Sequence, residues 1–256
     1  MRNKSAQLGV VLGLVGAMAL LAGCATPPSD PAARAEFEQV NDPIEPFNRY
    51  IFEVNRLLDF LFLKPAADTY RRVVPDIGQT AVHHVLENMN EPVVFANSLF
   101  QGRFEDTATT FGRFLINSTA GLGGLFDVAT AAGLPAKEAD FGQTLYTYGA
   151  GDGPYLVLPI LGPSNPRDAF GFGVDAVMDP TSYAFSVPGY KPVNYGRNLG
   201  TALDKRSRWI DELDSVERTS LDFYSQMRSM SRQFRTKQLT GQAPVSPFDT
   251  DDAKKH

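Results

Sequence analysis

Apolar residues recur at helical spacing through most of this chain. Ile44, Phe47, Ile51, Val54 and Leu58 step by three and four residues, and Asp42-Pro43 ahead of them supplies a cap and a first turn. Lys64-Pro65 restarts a short helix that ends near Arg72. Residues 76–88 read as a helix, which Pro92 is expected to kink or restart. Further helices are predicted over 104–119 and from Asn165 or Asp168 to Met178. Two long helical patterns, 194–213 and 215–237, close the chain. Alternation is scarce: Tyr155-Leu156-Val157-Leu158 is the best strand candidate, inside a stretch dense in glycine and proline at 149–166. The pattern predicts a mainly α, single-domain protein of amphipathic helices joined by glycine- and proline-rich loops.

The segment FEDTATTFGRFLINSTAGLGG, starting at Phe104, shows the sharpest division of faces. Phe104, Ala108, Phe111 and Leu115 share one side, which Phe114 and Ile116 widen. Asp106, Thr110, Arg113 and Asn117 repeat the spacing two residues later, about 200° around the helix. Two readings stand. In one the apolar stripe packs on a core and the polar stripe meets water. In the other the apolar stripe meets acyl chains and the four polar residues line a wet passage, where Arg113 can attract a phosphate headgroup. Gly121, Gly123 and Gly124 then permit a sharp turn, or a hinge, into Leu125-Phe126-Asp127-Val128.

The amino terminus changes the picture. Arg2 and Lys4 precede the apolar stretch 8–22, which is too short to span a bilayer. A basic start, a short apolar run and small residues at its end describe a secretory leader. Leu21-Ala22-Gly23-Cys24 resembles a bacterial lipobox, in which cleavage precedes the cysteine and the cysteine takes the lipid. Cys24 is the only cysteine in the chain, so it has no second thiol to pair with. Ala25 follows it rather than the aspartate that commonly retains such proteins at the inner membrane, which favours the outer membrane. The expected organisation is a leader at 1–23, a lipidated start and tether at 24–38, a helical domain at 39–239 and a disordered polar tail at 240–256. Beyond the leader, no run approaches the length of a transmembrane helix, so entry into a bilayer must use amphipathic helices at the interface.

Removing Arg2 and Lys4 with the leader leaves 22 basic residues against 29 acidic ones, a net charge of −7, which argues against bulk nucleic-acid binding. The chain carries 18 phenylalanines, many for the interior of a small domain but easily placed against lipid.

Catalytic motifs are missing. There is no G-x-S-x-G elbow and no phosphate-binding G-x-x-x-x-G-K-[ST] loop. Gly149, Gly151 and Gly153 alternate but precede a proline, which marks a turn. His83 and Glu87 could touch a metal, yet two ligands make a weak case. No catalytic residue, metal or cofactor is assigned. The last helical segment carries Arg228, Arg232 and Arg235 beside an apolar stripe of Phe223, Met227, Met230 and Phe234. Either the stripe docks and the arginines are solvated, or they contact anionic headgroups or a protein partner.

Four stretches together resemble the VacJ/MlaA family: NDPIEPFNR at 41–49, RFLINSTAGLGGLFDVA at 113–129, DFGQTLYTYGAGDGPYLVLPILGPSNPRDAFG at 140–171 and LDFYSQMRSMSRQFR at 221–235. With the lipobox, the similarity spans nearly the whole chain after the leader. The resemblance implies an outer-membrane lipoprotein of the lipid-asymmetry pathway. Its fold would be a ring of helices around a polar channel, through which mislocalised outer-membrane phospholipids pass to a periplasmic phospholipid carrier. It also implies association with a trimeric porin. The rival is a porin-associated scaffold that moves no lipid.

Overall fold

The computed structural model describes residues 42–184 and 191–240. The leader, Cys24, the tether and the tail beyond residue 240 lie outside them. Helix α1 spans Glu45–Leu58 and carries a proline in its first turn. Asp42 is not its cap: the cap position is Ile44, and the Asp42 carboxylate is engaged elsewhere, accepting from Asn48 Nδ2 at 2.7 Å. One π-helical turn, Asp59–Leu63, joins α1 to α2 (Lys64–Val73) without a break. The wider turn accommodates Pro65, which has no amide to donate.

Helix α3 (Asp76–Phe100) continues through Pro92 without a break, so the expected restart does not occur. Its buried face, including Asn88, Glu91, Val93, Val94 and Asn97, packs along α4 (Phe104–Thr119). That packing offsets the loss of one hydrogen bond. Short helices escaped the periodicity reading, among them α5 (Val128–Ala131), capped by Asp127, and α6 (Phe141–Thr147), capped by Asp140. Strands β1 (Leu156–Leu158) and β2 (Gly162–Ser164) form an antiparallel hairpin with Val157 opposite Pro163. Helix α7 (Pro166–Met178) is capped by Asn165, and α8 (Pro180–Ala184) follows.

The closing region is three helices rather than two: α9 (Lys191–Arg208), α10 (Ile210–Thr219) and α11 (Phe223–Leu239). The predicted 215–237 helix breaks because Ser220 is extended and the Asp222 carboxylate caps α11, accepting from Ser225 N. None of the described helices is long and apolar enough to cross a membrane.

These elements pack as a circuit. α1 lies on β1, β1 pairs with β2, and β2 meets α11. α11 touches α6, α6 packs on α3, α3 on α9, and α9 on α2, which returns to α1 through the π turn. The described chain is thus mainly helical and ring-like. One apolar cluster sits where the circuit closes: Phe52, Tyr155, Val157 and Tyr224 are buried, with Ile51, Phe223 and Met227 against them. Asn48 fastens this junction by treating β1 as a strand neighbour would. Its amide donates to Tyr155 O at 3.0 Å, and its oxygen accepts from Val157 N at 2.9 Å.

Candidate functional site

On α4 the orientation of the two stripes is inside out for a protein in water. Phe104 is 72% exposed and Phe111 51%, with Ala108 and Leu115 also exposed. Thr110, Arg113 and Asn117 on the opposite side are buried, Arg113 to 1%. The polar side is pressed against α3, and Asn117 also meets the turn that follows α4.

The geometry there is an ionic bracket. Arg113 Nε donates to Glu91 Oε1 at 2.7 Å, and its Nη1 donates to Thr130 Oγ1 at 2.8 Å and to Leu134 O at 2.7 Å. Asp127 stands 3.4 Å from the same guanidinium. Asn117 Nδ2 donates to Asp127 Oδ1, and Ala129 N donates to Asn117 Oδ1, both at 3.0 Å. Burial pushes the Glu91 carboxyl above its ordinary value, against the pull of Arg113. Burial also works to raise Asp127, but hydrogen bonds from Thr130 and Asn117 and the charge of Arg113 hold it down at about 2.

The four residues expected to line a passage therefore do something else. Thr110, Arg113 and Asn117 are sealed within the α3–α4 seam, and Arg113 and Asn117 spend their polar groups on protein partners. Asp106 is half-buried and pairs with Lys137 at 2.7 Å. Among the described residues, none of the four borders the cavity described next.

Gly121, Gly123 and Gly124 form a turn. Gly123 N donates to Ser118 O and Gly124 N to Asn117 O, closing the end of α4. Gly123 and Gly124 have φ of 77° and 95°, and a Cβ on Gly124 would lie 2.6 Å from Asn88 Cβ. Close approach and left-handed geometry account for these glycines as a packed turn.

A cavity of about 940 Å³, lined by charged and apolar side chains, opens between α11, α7 and the hairpin. Arg232 and Arg235 border it from α11, Asp168 and Asp175 from α7, and Pro163 and Ser164 from β2. Asp140, Asp152, Lys205 of α9 and Lys237 complete its charged lining. Arg235 is locked in place. Its Nη1 and Nη2 donate to Asp140 at 2.7 and 2.8 Å, and its Nε and Nη2 donate to Asp168, both at 2.8 Å. Arg228 lies away from the cavity, paired with Asp42 at 3.1 Å and Glu45 at 3.4 Å. Of the three arginines predicted as contacts, Arg228 and Arg235 brace α11 against the circuit, and Arg232 and Arg235 border the cavity.

The acidic side of the cavity was missed in the sequence. The helix predicted from Asn165 or Asp168 to Met178 is α7, and Asp140-x-x-Gln143 is a helix-start signal that could have placed α6 and with it Asp140. Asp175 accepts from Asn97 Nδ2 at 2.7 Å and from the Phe141 N–H at 3.1 Å. Burial raises its carboxyl above the ordinary range, while those two bonds work the other way.

His83 and Glu87, the weak metal candidates, are joined to α9. His83 Nδ1 lies 2.8 Å from Asp204 Oδ2, and its Nε2 lies 3.1 Å from Glu87 Oε1. Among the described residues no group of three or more His, Cys, Asp or Glu could hold a metal ion.

A helical circuit that exposes an aromatic stripe, buries its ions and carries a cavity with a charged lining defines a class of protein suited to an oily surrounding. The sequence profile of the MlaA lipoprotein family matches residues 40–238, and the chain belongs to that family. It is 35% identical to the intermembrane phospholipid transport system lipoprotein MlaA of Haemophilus influenzae over 208 residues, 80% of either chain. An uncharacterized protein of Rickettsia bellii is 38% identical over 202 residues, covering 77% of this chain and 76% of that one. A solved structure described as the structural basis for maintenance of bacterial outer membrane lipid asymmetry superposes with a TM-score of 0.67 at 30% identity. It covers 78% of this chain and 98% of the other.

Proposed function

We propose that this protein is an outer-membrane lipoprotein that removes mislocalised phospholipids from the outer leaflet and passes them through its cavity to a periplasmic lipid carrier. Residues 1–23 act as the leader, Cys24 carries the acyl chains, and 24–38 tether the helical domain at 39–239. A trimeric porin is the expected neighbour in the membrane. The observation that carries the reading is the inversion of α4, with its aromatic stripe outward and its ionic bracket sealed inside. An exposed phenylalanine forgoes about 1.5–3 kcal/mol of burial in water, and contact with lipid removes that cost. A headgroup crossing a bilayer must lose its water, which costs several kcal/mol for a charged group. A charged cavity removes that barrier while the tails stay in oil, and no covalent step is needed.

The test is the amount of phospholipid in the outer leaflet of cells lacking the gene, with wild-type and Cys24→Ala copies restored separately. Accumulation reversed by the wild type and not by Cys24→Ala supports anchored removal of lipid. An outer leaflet unchanged by loss of the gene overturns it and leaves the porin-associated scaffold.

A further inference from the structure

Helix α10 is fastened to the circuit by charge. Of its ten residues only Ile210 is buried, so apolar packing does little to seat it. Its acidic residues meet cations on α1 and α2 instead. Asp211 pairs with Arg71 at 2.8 Å, Asp214 with Lys64 at 2.6 Å and Glu217 with Arg56 at 2.9 Å. The partners run in reverse order down α2, across the π turn and into α1. The two outer pairs are open to solvent, with the Asp211 side chain 78% exposed and that of Glu217 41%. Asp214, in the middle, is more sheltered and also meets Arg206 at 3.5 Å.

The chain on either side of α10 is pinned independently. Near the end of α9, Arg206 donates to Asp59 of the π turn through Nε at 2.8 Å and Nη2 at 3.0 Å. Asp222, the cap of α11, accepts from Arg49 of α1 at 2.6 and 3.1 Å. Between these pins the helical path breaks twice. Trp209 leaves helical geometry ahead of α10, Ser220 is extended after it, and Leu221 is fully exposed. Breaks at the ends of an element are where a hinge takes up rotation.

We propose that α10 is a releasable strap: it parts from α1 and α2 as one unit when its ion pairs are screened, while α9 and α11 stay in place. Parting uncovers Arg56, Lys64 and Arg71 on either side of the π turn, whose Phe60, Leu61 and Phe62 are exposed. The strap thereby sets how much positive charge this apolar segment presents. The inference does not depend on lipid passage. Geometry carries it: two exposed pairs hold the ends of a helix that has little apolar seat. Screening shortens the reach of such pairs from about 10 Å at 0.1 M salt to about 3 Å at 1 M, whereas buried pairs are screened much less.

The experiment is hydrogen exchange on the full chain, purified from membranes in a non-ionic detergent, at about 0.1 M and about 1 M sodium chloride. The expected result is exchange in α10 roughly three- to tenfold faster at high salt, the size of two exposed ion pairs, with α3, α4 and α11 unchanged. Arg56→Gln with Arg71→Gln removes the charge of both outer partners without touching the sequence of α10. At low salt this variant should exchange α10 as fast as the native chain does at high salt, and its own response to salt should shrink. Exchange in α10 that is unchanged by salt in the native chain, or unchanged by the double substitution, overturns the strap. A rise of equal size in α3, α4 and α11 overturns it too, since the whole fold would then be loosening and not one helix.

Discussion

Around Phe52 the rings of Phe223 and Tyr224 lie within 5.5 Å, centre to centre, and the apolar side chains are inside. Along α4 the rings face out and an arginine is inside. Both regions are well packed, yet they use opposite materials. Among the described residues, 17 polar or charged residues are buried against 11 apolar ones, so the α4 arrangement is the commoner one here. Polar residues are ordinarily found outside. The difference teaches where each region's stability comes from. The α1–β1–α11 junction buries an apolar cluster, which polar bonds from Asn48 and Asp42 fasten. The α3–α4 seam holds by matched ions, and it leaves its apolar surface for a lipid surrounding to cover.

The comparison is broken most forcefully at Arg113. Arg113→Leu leaves Glu91 buried without its cation, and a loss of about 3–5 kcal/mol is expected in denaturant unfolding. Adding Glu91→Leu to that variant should recover much of the loss, because it removes the carboxylate left unpaired, while Asp127 keeps its bonds from Thr130 and Asn117. A double variant as unstable as the single one would show that the bracket is not the source. At the junction, Tyr224→Phe removes the hydroxyl bonded to Asp42 and should cost about 1–3 kcal/mol by the same measurement. The ring packing is kept there, so a larger loss would mean that the polar bonds of this junction outweigh its apolar cluster.

A third test reaches the join between α3 and α9. The bond to Asp204, then that to Glu87, raises His83 from 6.5 to about 9. Its folded value exceeds its unfolded value, so the stabilisation is complete below pH 6.5 and is lost as pH rises through about 9. The expected loss across that window is on the order of 2 kcal/mol, read as a falling melting temperature, and His83→Gln should flatten the slope. The smallest effect on folding belongs to the exposed stripe. Phe104→Ser with Leu115→Ser should change stability in detergent by no more than about 0.5 kcal/mol. The same pair should weaken flotation with liposomes, and unchanged flotation would remove α4 from the lipid-facing surface.

Much of the helical content was legible because periodicity reports amphipathicity directly. The direction of α4 was not, since a stripe pattern reads the same whether water or lipid lies outside. The spacing of Phe104, Phe111, Thr110 and Arg113 fitted both readings, and burial matches neither whole: the apolar stripe faces out, while the polar residues are sealed against protein and line no passage. The cavity was illegible for a different reason. Arg235 reaches Asp140 and Asp168 across 95 and 67 residues, and no local pattern encodes such pairs. The arginines of α11 looked like a solvated or partner-facing stripe because their carboxylate partners sit on other elements. Short helices α5 and α6 fall below the length at which a period can be counted, although their caps are visible as Asp127 and Asp140.

The clasp between α1, β1 and α11 bears on how the chain acquires its fold. Asn48 bonds residues 107 and 109 positions away, and Asp42 meets the Tyr224 hydroxyl across 182 positions. Contacts that span so much chain form slowly, because the intervening loop must close first. The local α3–α4 pairing can form early, whereas the circuit cannot shut until α11 has emerged from whatever machinery delivers it. Until then Asn48, Phe52 and β1 wait with unmet polar and apolar groups, an interval in which a holdase would protect the chain from aggregation. Closure by the last helix makes assembly an all-or-none event tied to delivery of the final segment.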